Sequence, residues 1–293
     1  MREALHVLFG AGFTAALCVA AGSLALRGLR VKMERGEEWL FAFVGGSALV
    51  STAVFFLCVV HQARKGVFLW GGAGLIVAAA VARPPFGRSR PRLPAATAMF
   101  AVFVVVFTTF FFLYFFNALA PERSPDGAGY HLGNVMRMSE QHGFAWNYHS
   151  MYSYLSQGME MLFLVAFSFG GHSAAAMTHF AFLVALPLMI AVYGRRFGIP
   201  HAGFFAAAAV FASPVVGMDG ISAYNDLTVA TVLFAEFFLL QVWDETRESK
   251  LLILIGLVGG FAYGVKYTAG LALPFVVAFV WWRSRRFRDV GVI

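Results

Sequence analysis

Charge is scarce in this sequence. Only 13% of its 293 residues are Asp, Glu, Lys or Arg, about half the share of an ordinary soluble domain. Cysteine is nearly absent as well. Cys18 and Cys58 stand alone inside apolar runs, which excludes a disulfide framework and offers no metal-ligand spacing. No internal repeat and no low-complexity tail divides the chain. Acidic residues number 15 against 22 basic ones. The resulting charge of +7 does not point to nucleic acid, because the basic residues are scattered over short islands between apolar runs.

What fills the sequence is apolar: 60% of the residues are hydrophobic, 33 are Phe, and the mean hydropathy is +0.73. A transmembrane helix needs about 20 mostly apolar residues. Nine runs approach that: His6–Leu26, Trp39–Val60, Val67–Ala82, Thr97–Phe116, Ser173–Tyr193, Ala202–Met218, Leu227–Trp243, Leu251–Val265 and Gly270–Trp282. The expected fold is an all-α, polytopic transmembrane bundle, with the first run a span rather than a cleaved leader. Residues 1–96 form N-terminal spans without an assigned role, and 97–293 form the core.

The segment 118–172 is too polar for a plain continuation and carries acidic, aromatic and histidine residues. It ends in Met151–Gly170, apolar enough to span but interrupted by Gln157 and Glu160, which suits an interfacial amphipathic helix. Charge bias decides between the two. With Met151–Gly170 interfacial, one face receives Arg27, Arg30, Lys32, Arg35, Arg83, Arg88, Arg90, Arg92, Arg195, Arg196, Arg247, Lys250, Arg283, Arg285, Arg286 and Arg288, most of the 22 basic residues. By the positive-inside rule that face is cytoplasmic. If the segment crossed, the bias would vanish. The loop 118–172 is therefore expected outside the cytoplasm.

This topology brings three distant residues to one membrane level. Asp126 lies in Ser-Pro-Asp-Gly-Ala-Gly-Tyr-His, Asp226 in Ala-Tyr-Asn-Asp-Leu and Lys266 in Gly-Val-Lys-Tyr-Thr. Two carboxylates and an ammonium at the mouth of a bundle can hold a phosphate-bearing lipid and deprotonate a hydroxyl. Each also has a plainer reading. Asp126 between Pro125 and Gly127 suits a turn, Asp226 suits a helix cap, and Lys266 at a helix end can snorkel. Glu236, mid-span, is either a functional intramembrane acid or a protonated group bonded inside the bundle. His131, His142 and His149 match no compact metal motif; a divalent cation stays open. Tyr130, Trp146, Tyr148, Tyr152 and Tyr154 suit stacking on a sugar and equally an interfacial aromatic belt.

In order and topology these motifs resemble the polyprenyl-phosphate-sugar-dependent glycosyltransferases of the GT-C fold, a group that includes the protein O-mannosyltransferases and the lipid A aminoarabinose transferases. Asp126 and Tyr130 keep the family's spacing of an acid and a Tyr four residues later. Tyr154–Gly170 looks like the last of its interfacial helices, and Tyr193-Gly-Arg-Arg-Phe-Gly like its basic helix end. Asp226 matches the second acid, and Gly264-Val-Lys-Tyr-Thr the Gly-rich helix end with Lys. The similarity covers roughly residues 97–285. It departs at Gly127, where an acid often follows the first Asp, and at Ile293, beyond which family members usually continue with further helices. That second departure implies a C-terminally truncated relative or a piece of a longer chain.

The resemblance implies transfer of a sugar from a polyprenyl-phosphate carrier to a hydroxyl acceptor (lipid, glycan or protein) by one inverting displacement. It places the reaction on the non-cytoplasmic side of a bilayer, expected to be the bacterial inner membrane. Asp126 is then the general base. Tyr130, His131, Asn225, Asp226 and Lys266 contact donor or acceptor, with Arg123 and Arg137 assisting Lys266 against phosphate charge. No cofactor is implied beyond a divalent cation at Asp226. The alternatives are a transporter or lipid-linked-sugar flippase, resting on Glu236 and the Pro214 interruption, and a degenerate, non-catalytic membrane protein.

Overall fold

The computed structural model describes residues 2–31, 33–82, 97–144 and 150–293. Lys32, the Arg35 side chain, Arg83, Arg88, Arg90, Arg92, Trp146, Tyr148 and His149 lie outside the described residues. The helices are α1 Arg2–Leu29, α2 Arg35–Val59, α3 Lys65–Val81, α4 Ala98–Ala118, α5 Leu132–Gln141, α6 Gly158–Arg196, α7 Pro200–Phe211, α8 Pro214–Gly220, α9 Asp226–Thr246, α10 Lys250–Val265, α11 Ala272–Ser284 and α12 Phe287–Val290. A π-helical turn, Gly127–His131, leads into α5, and short 3₁₀ turns precede α6 and α11. No strand occurs among the described residues.

Each apolar run of the sequence is helical. Five helices, α1, α2, α4, α6 and α9, are long and apolar enough to cross a membrane, and α7 with α8 makes a sixth if that pair is one bent span. α3 and α10 are apolar but shorter, at 17 and 16 residues. The chain is an all-α membrane bundle. α4 starts where the Thr97 hydroxyl accepts the Phe100 N–H at 3.2 Å, an N-cap that satisfies an otherwise orphaned donor. Most of α4 is exposed, as suits a Phe-rich helix facing lipid. The α7–α8 pair bends by 66° at Pro214, which lacks an N–H and disfavours helix at the residue before it.

α6 departs from the sequence expectation. Its 39 residues would reach about 58 Å if straight, nearly twice the hydrocarbon thickness. It breaks at Gly171, whose φ of 65° and ψ of −152° suit glycine alone. The first half, 158–170, runs across one end of the bundle. Gly158 abuts Gly264 at the end of α10. Met159 Sδ accepts from Thr228 near the start of α9 at 3.4 Å, and Met161 Sδ faces Cys58 Sγ near the end of α2 at 4.0 Å. Gly170 abuts His6 and Val7 near the start of α1. All these neighbours mark one end of the bundle, here termed the site end. The segment is nonetheless not surface-lying: Met159–Ala166 are all buried. It is core, placed crosswise.

One hydrophobic core joins α1, α2, α5, α6, α9 and α10. α1 and α2 interlock through glycines. A Cβ at Gly46 would lie 1.7 Å from the Cys18 carbonyl oxygen, and one at Gly22 would lie 1.9 Å from that of Ala42. Such close approach is how membrane helices gain van der Waals contact. Gly46→Ala is expected to destabilise the fold by about 1–3 kcal/mol, the usual cost of overpacking. Thermal unfolding in detergent measures it, and an unchanged melt would refute the backbone contact. At the opposite end, Arg196 Nη1 donates to both Glu37 oxygens at 2.9 and 2.8 Å, and Nη2 to Glu245 at 2.8 Å. Arg283 there grips Asp244 at 2.6 and 2.8 Å.

Candidate active site

The loop after α4 is fastened by an acid that sequence reasoning missed. Glu122 accepts the Ser124 N–H at 2.7 Å and the Ala223 N–H at 2.5 Å. It thereby ties this loop to the one before α9. The fastening also accounts for the departure at Gly127. A Cβ there would lie 2.6 Å from Ser124 Oγ and 2.7 Å from the Glu122 carboxyl carbon, so Glu122 fills the space that a side chain at 127 would need. Asp126 comes just before, exposed at the surface. The π turn then closes with Leu132 N–H bonded to Gly127 C=O; such turns recur at functional sites. It leaves Tyr130 half-buried and turns His131 inward.

The second part of the site is the start of α9. Asp219, on α8, accepts the Leu227 N–H at 2.7 Å and so caps α9. The first helical residue, Asp226, is free of that task; its exposed carboxylate pairs with Lys266 Nζ instead. Lys266 sits where α10 ends, in extended backbone. Asn225 is buried and donates to the Val265 carbonyl at 3.3 Å, stitching the start of α9 to the end of α10. The cap of α9 thus falls to Asp219 rather than Asp226, and Lys266 at its helix end forms a cross-helix ion pair.

These parts meet around one phenol. Tyr130 stacks on Tyr152 with ring centroids 4.1 Å apart and planes 11° from parallel. Its pKa is pushed up to about 12, first by burial and then by the negative charges of Asp126, Glu160, Tyr152 and Asp226. Tyr130 is therefore a neutral hydrogen-bond donor at physiological pH, within electrostatic reach of carboxylates from three elements. Behind it, His131 Nδ1 lies 2.5 Å from Glu160 Oε1, both side chains buried. Deeper still, His179 Nδ1 donates to the Ser222 carbonyl at 2.8 Å, with Asp219 Oδ2 at 3.9 Å from its Nε2.

Other candidates stand apart. Glu236 is buried against Gly259 of α10, ten residues and thus about 15 Å along α9 from Asp226. Arg137 is held by Asn134 Oδ1 at 2.6 Å, and Arg123 is exposed. Among the described residues no group of three or more His, Cys, Asp or Glu side chains is gathered as a metal site. Glu122, Glu160, His179 and Asp219 escaped sequence reasoning. Glu160 alone carried a signal, since an acid inside an apolar helical run is a functional candidate by default.

Beside the polar cluster runs an apolar groove of about 930 Å³. Its walls are α2 at Ser51, Phe55 and Val59, and α10 at Gly256, Gly260 and Gly264. Asn134, Ser153 and Gln157 add polar groups to its lining. A Cβ at Gly260 or Gly264 would meet nothing within 4 Å, so these glycines keep the α10 wall open. Gly264 lies two residues before Lys266, which brings the groove to the ion pair.

Residues 151–292, a little under half of the chain, match the family described as dolichyl-phosphate-mannose-protein mannosyltransferase. Over that stretch the chain is similar to that family, in line with the resemblance to the GT-C glycosyltransferases. The match takes in Glu160, Asn225, Asp226, Glu236 and Lys266, and begins after Asp126, Tyr130 and His131. No curated protein and no solved structure matches.

Proposed function

We propose that the protein transfers a sugar from a polyprenyl-phosphate carrier to a hydroxyl acceptor, at the bilayer face away from the cytoplasm, in the inner membrane of a bacterium. The observation that carries this reading is the junction of groove and ion pair. An apolar groove of about 930 Å³ has Gly264 in its wall, two residues before Lys266 of the Asp226–Lys266 pair, and the Tyr130 phenol feels the charges of both Asp126 and Asp226. The carrier chain lies in the groove. Its phosphate reaches Lys266, and the sugar rests on the stacked Tyr130 and Tyr152 rings.

The step is one displacement with inversion. The acceptor oxygen forms its bond to the anomeric carbon as the bond from that carbon to the phosphate oxygen breaks. Asp126 takes the acceptor proton. The phosphate leaves with the electron pair as a stable anion, so no general acid is required, and Lys266 and the Tyr130 hydroxyl offset its charge. Asp226 holds Lys266 in place and orients the sugar.

Gly260→Leu tests the groove. The added side chain enters open space in the wall, so the helix should fold while the channel narrows. Transfer in proteoliposomes is expected to drop about 10-fold or more through a raised KM for the donor, with little change in kcat, because uniform binding is what is lost. An unchanged KM for long-chain donors would place the carrier elsewhere.

A further inference from the structure

Glu160 and His131 are the most deeply buried ionisable groups near the Tyr130 ring, at 3% exposure each. They come from elements 29 residues apart. Glu160 Oε1 lies 2.5 Å from His131 Nδ1, while Glu160 Oε2 is buried with no hydrogen-bond partner among the described residues. Burying a carboxylate with one bare oxygen is costly. Leu162, Leu164 and Val165 in the same helical turns are fully buried apolar residues, so packing alone would favour an apolar side chain at 160. Something other than stability keeps an acid there.

The contact fixes which nitrogen of His131 is available. With Nδ1–H donated to Glu160, Nε2 is the only ring nitrogen left for another partner. The imidazole is held from both sides. Tyr130 lies against it with centroids 4.2 Å apart, and Tyr224, two residues before Asp226, lies 6.2 Å away. The ring therefore sits between the stacked Tyr130–Tyr152 shelf and the loop that carries the Asp226–Lys266 pair.

The geometry points to Glu160 as a positioning residue that acts through His131. It fixes the imidazole so that Nε2 accepts a hydrogen bond from a hydroxyl of the donor sugar lying on the tyrosine shelf. This rests on the reading of the site as a sugar-transfer centre, and it makes the Glu160–His131 pair a determinant of which sugar is accepted. A sugar without a hydroxyl in reach of Nε2 would leave a buried acceptor unpaired, and such losses discriminate strongly.

The test uses the full chain in nanodiscs and proteoliposomes. A short buried histidine–carboxylate bond gives a proton resonance far downfield. It is expected in the wild type and absent from both Glu160→Gln and His131→Gln. Its absence from the wild type would overturn the proposal without recourse to any variant. Each single variant should lower kcat/KM for the sugar-carrier donor by about 10–100-fold, the worth of one hydrogen bond to a charged or charge-held group. The double variant should be no worse than the worse single one, because Glu160 acts only through His131. Multiplying losses would sink the coupling. Should the wild type transfer no sugar from any polyprenyl-phosphate donor, the reading of the site falls. The downfield proton would still decide whether Glu160 holds His131.

Discussion

Asp126→Asn is expected to lower the transfer rate by about 10²–10⁴-fold, the range that a positioned general base contributes. Asparagine keeps the shape of the side chain and its place ahead of the π turn, but cannot take a proton. Asp126 is exposed, and the fastening of its loop is carried by Glu122 through Ser124 and Ala223. The variant should therefore insert and melt as the wild type does. The loss should appear in kcat, with the donor KM nearly unchanged, because the carboxylate acts on the acceptor proton rather than on the carrier. The assay is single-turnover transfer from a polyprenyl-phosphate sugar in proteoliposomes. Full activity would remove Asp126 from the mechanism and leave Asp226 as the remaining surface carboxylate of the site.

The second large effect is structural and lies at the other end of the molecule. Arg196 closes the end of α6 onto α2 through both oxygens of Glu37, whose side chain is 0% exposed, and onto α9 through Glu245. Arg196→Gln leaves a buried carboxylate without its cation. The expected cost is about 3–5 kcal/mol, as for other buried pairs broken on one side. Denaturation in detergent, with the yield of inserted protein, measures it. Arg283→Gln removes a cation from an exposed pair and should cost much less. Replacing Glu37 and Arg196 together by leucine should recover most of the loss, because a well-packed apolar pair spares the desolvation of both charges. Failure of the double variant to recover would mean that Arg196 acts through Glu245 or the membrane surface instead.

Much of the fold was legible because lipid leaves a coarse signature. A helix that faces hydrocarbon has to be apolar over its whole length, and each of the apolar runs from His6–Leu26 to Gly270–Trp282 is helical. The meeting of Asp226 with Lys266 followed from counting alternate helix ends. What escaped was of a different kind. The part of Met151–Gly170 within α6 is apolar because Met159–Ala166 are core, and hydropathy does not distinguish a helix that crosses from one laid crosswise under others. Arg196 was counted as one more positive charge at a membrane face, whereas its charge is largely spent on Glu37. Glu122, Asp219 and His179 act through backbone groups and side chains far along the chain, such as Glu122 on Ala223 across 101 residues. No local pattern marks such pairs. Glu160 did carry a local mark, and the same reasoning that singled out Glu236 in its span applied to it.

The crosswise half of α6 has a consequence for permeation. On the proposed reading, the centre takes a charged headgroup from the groove and an acceptor from water, and so breaches the bilayer from two directions. The residues that follow Glu160 along the helix, Met161, Leu162, Phe163, Leu164 and Val165, are all buried. Side chains of this kind give ions and protons no relay toward the far side. On the proposed reading, this apolar half of α6 is the electrical insulation beside the reaction centre.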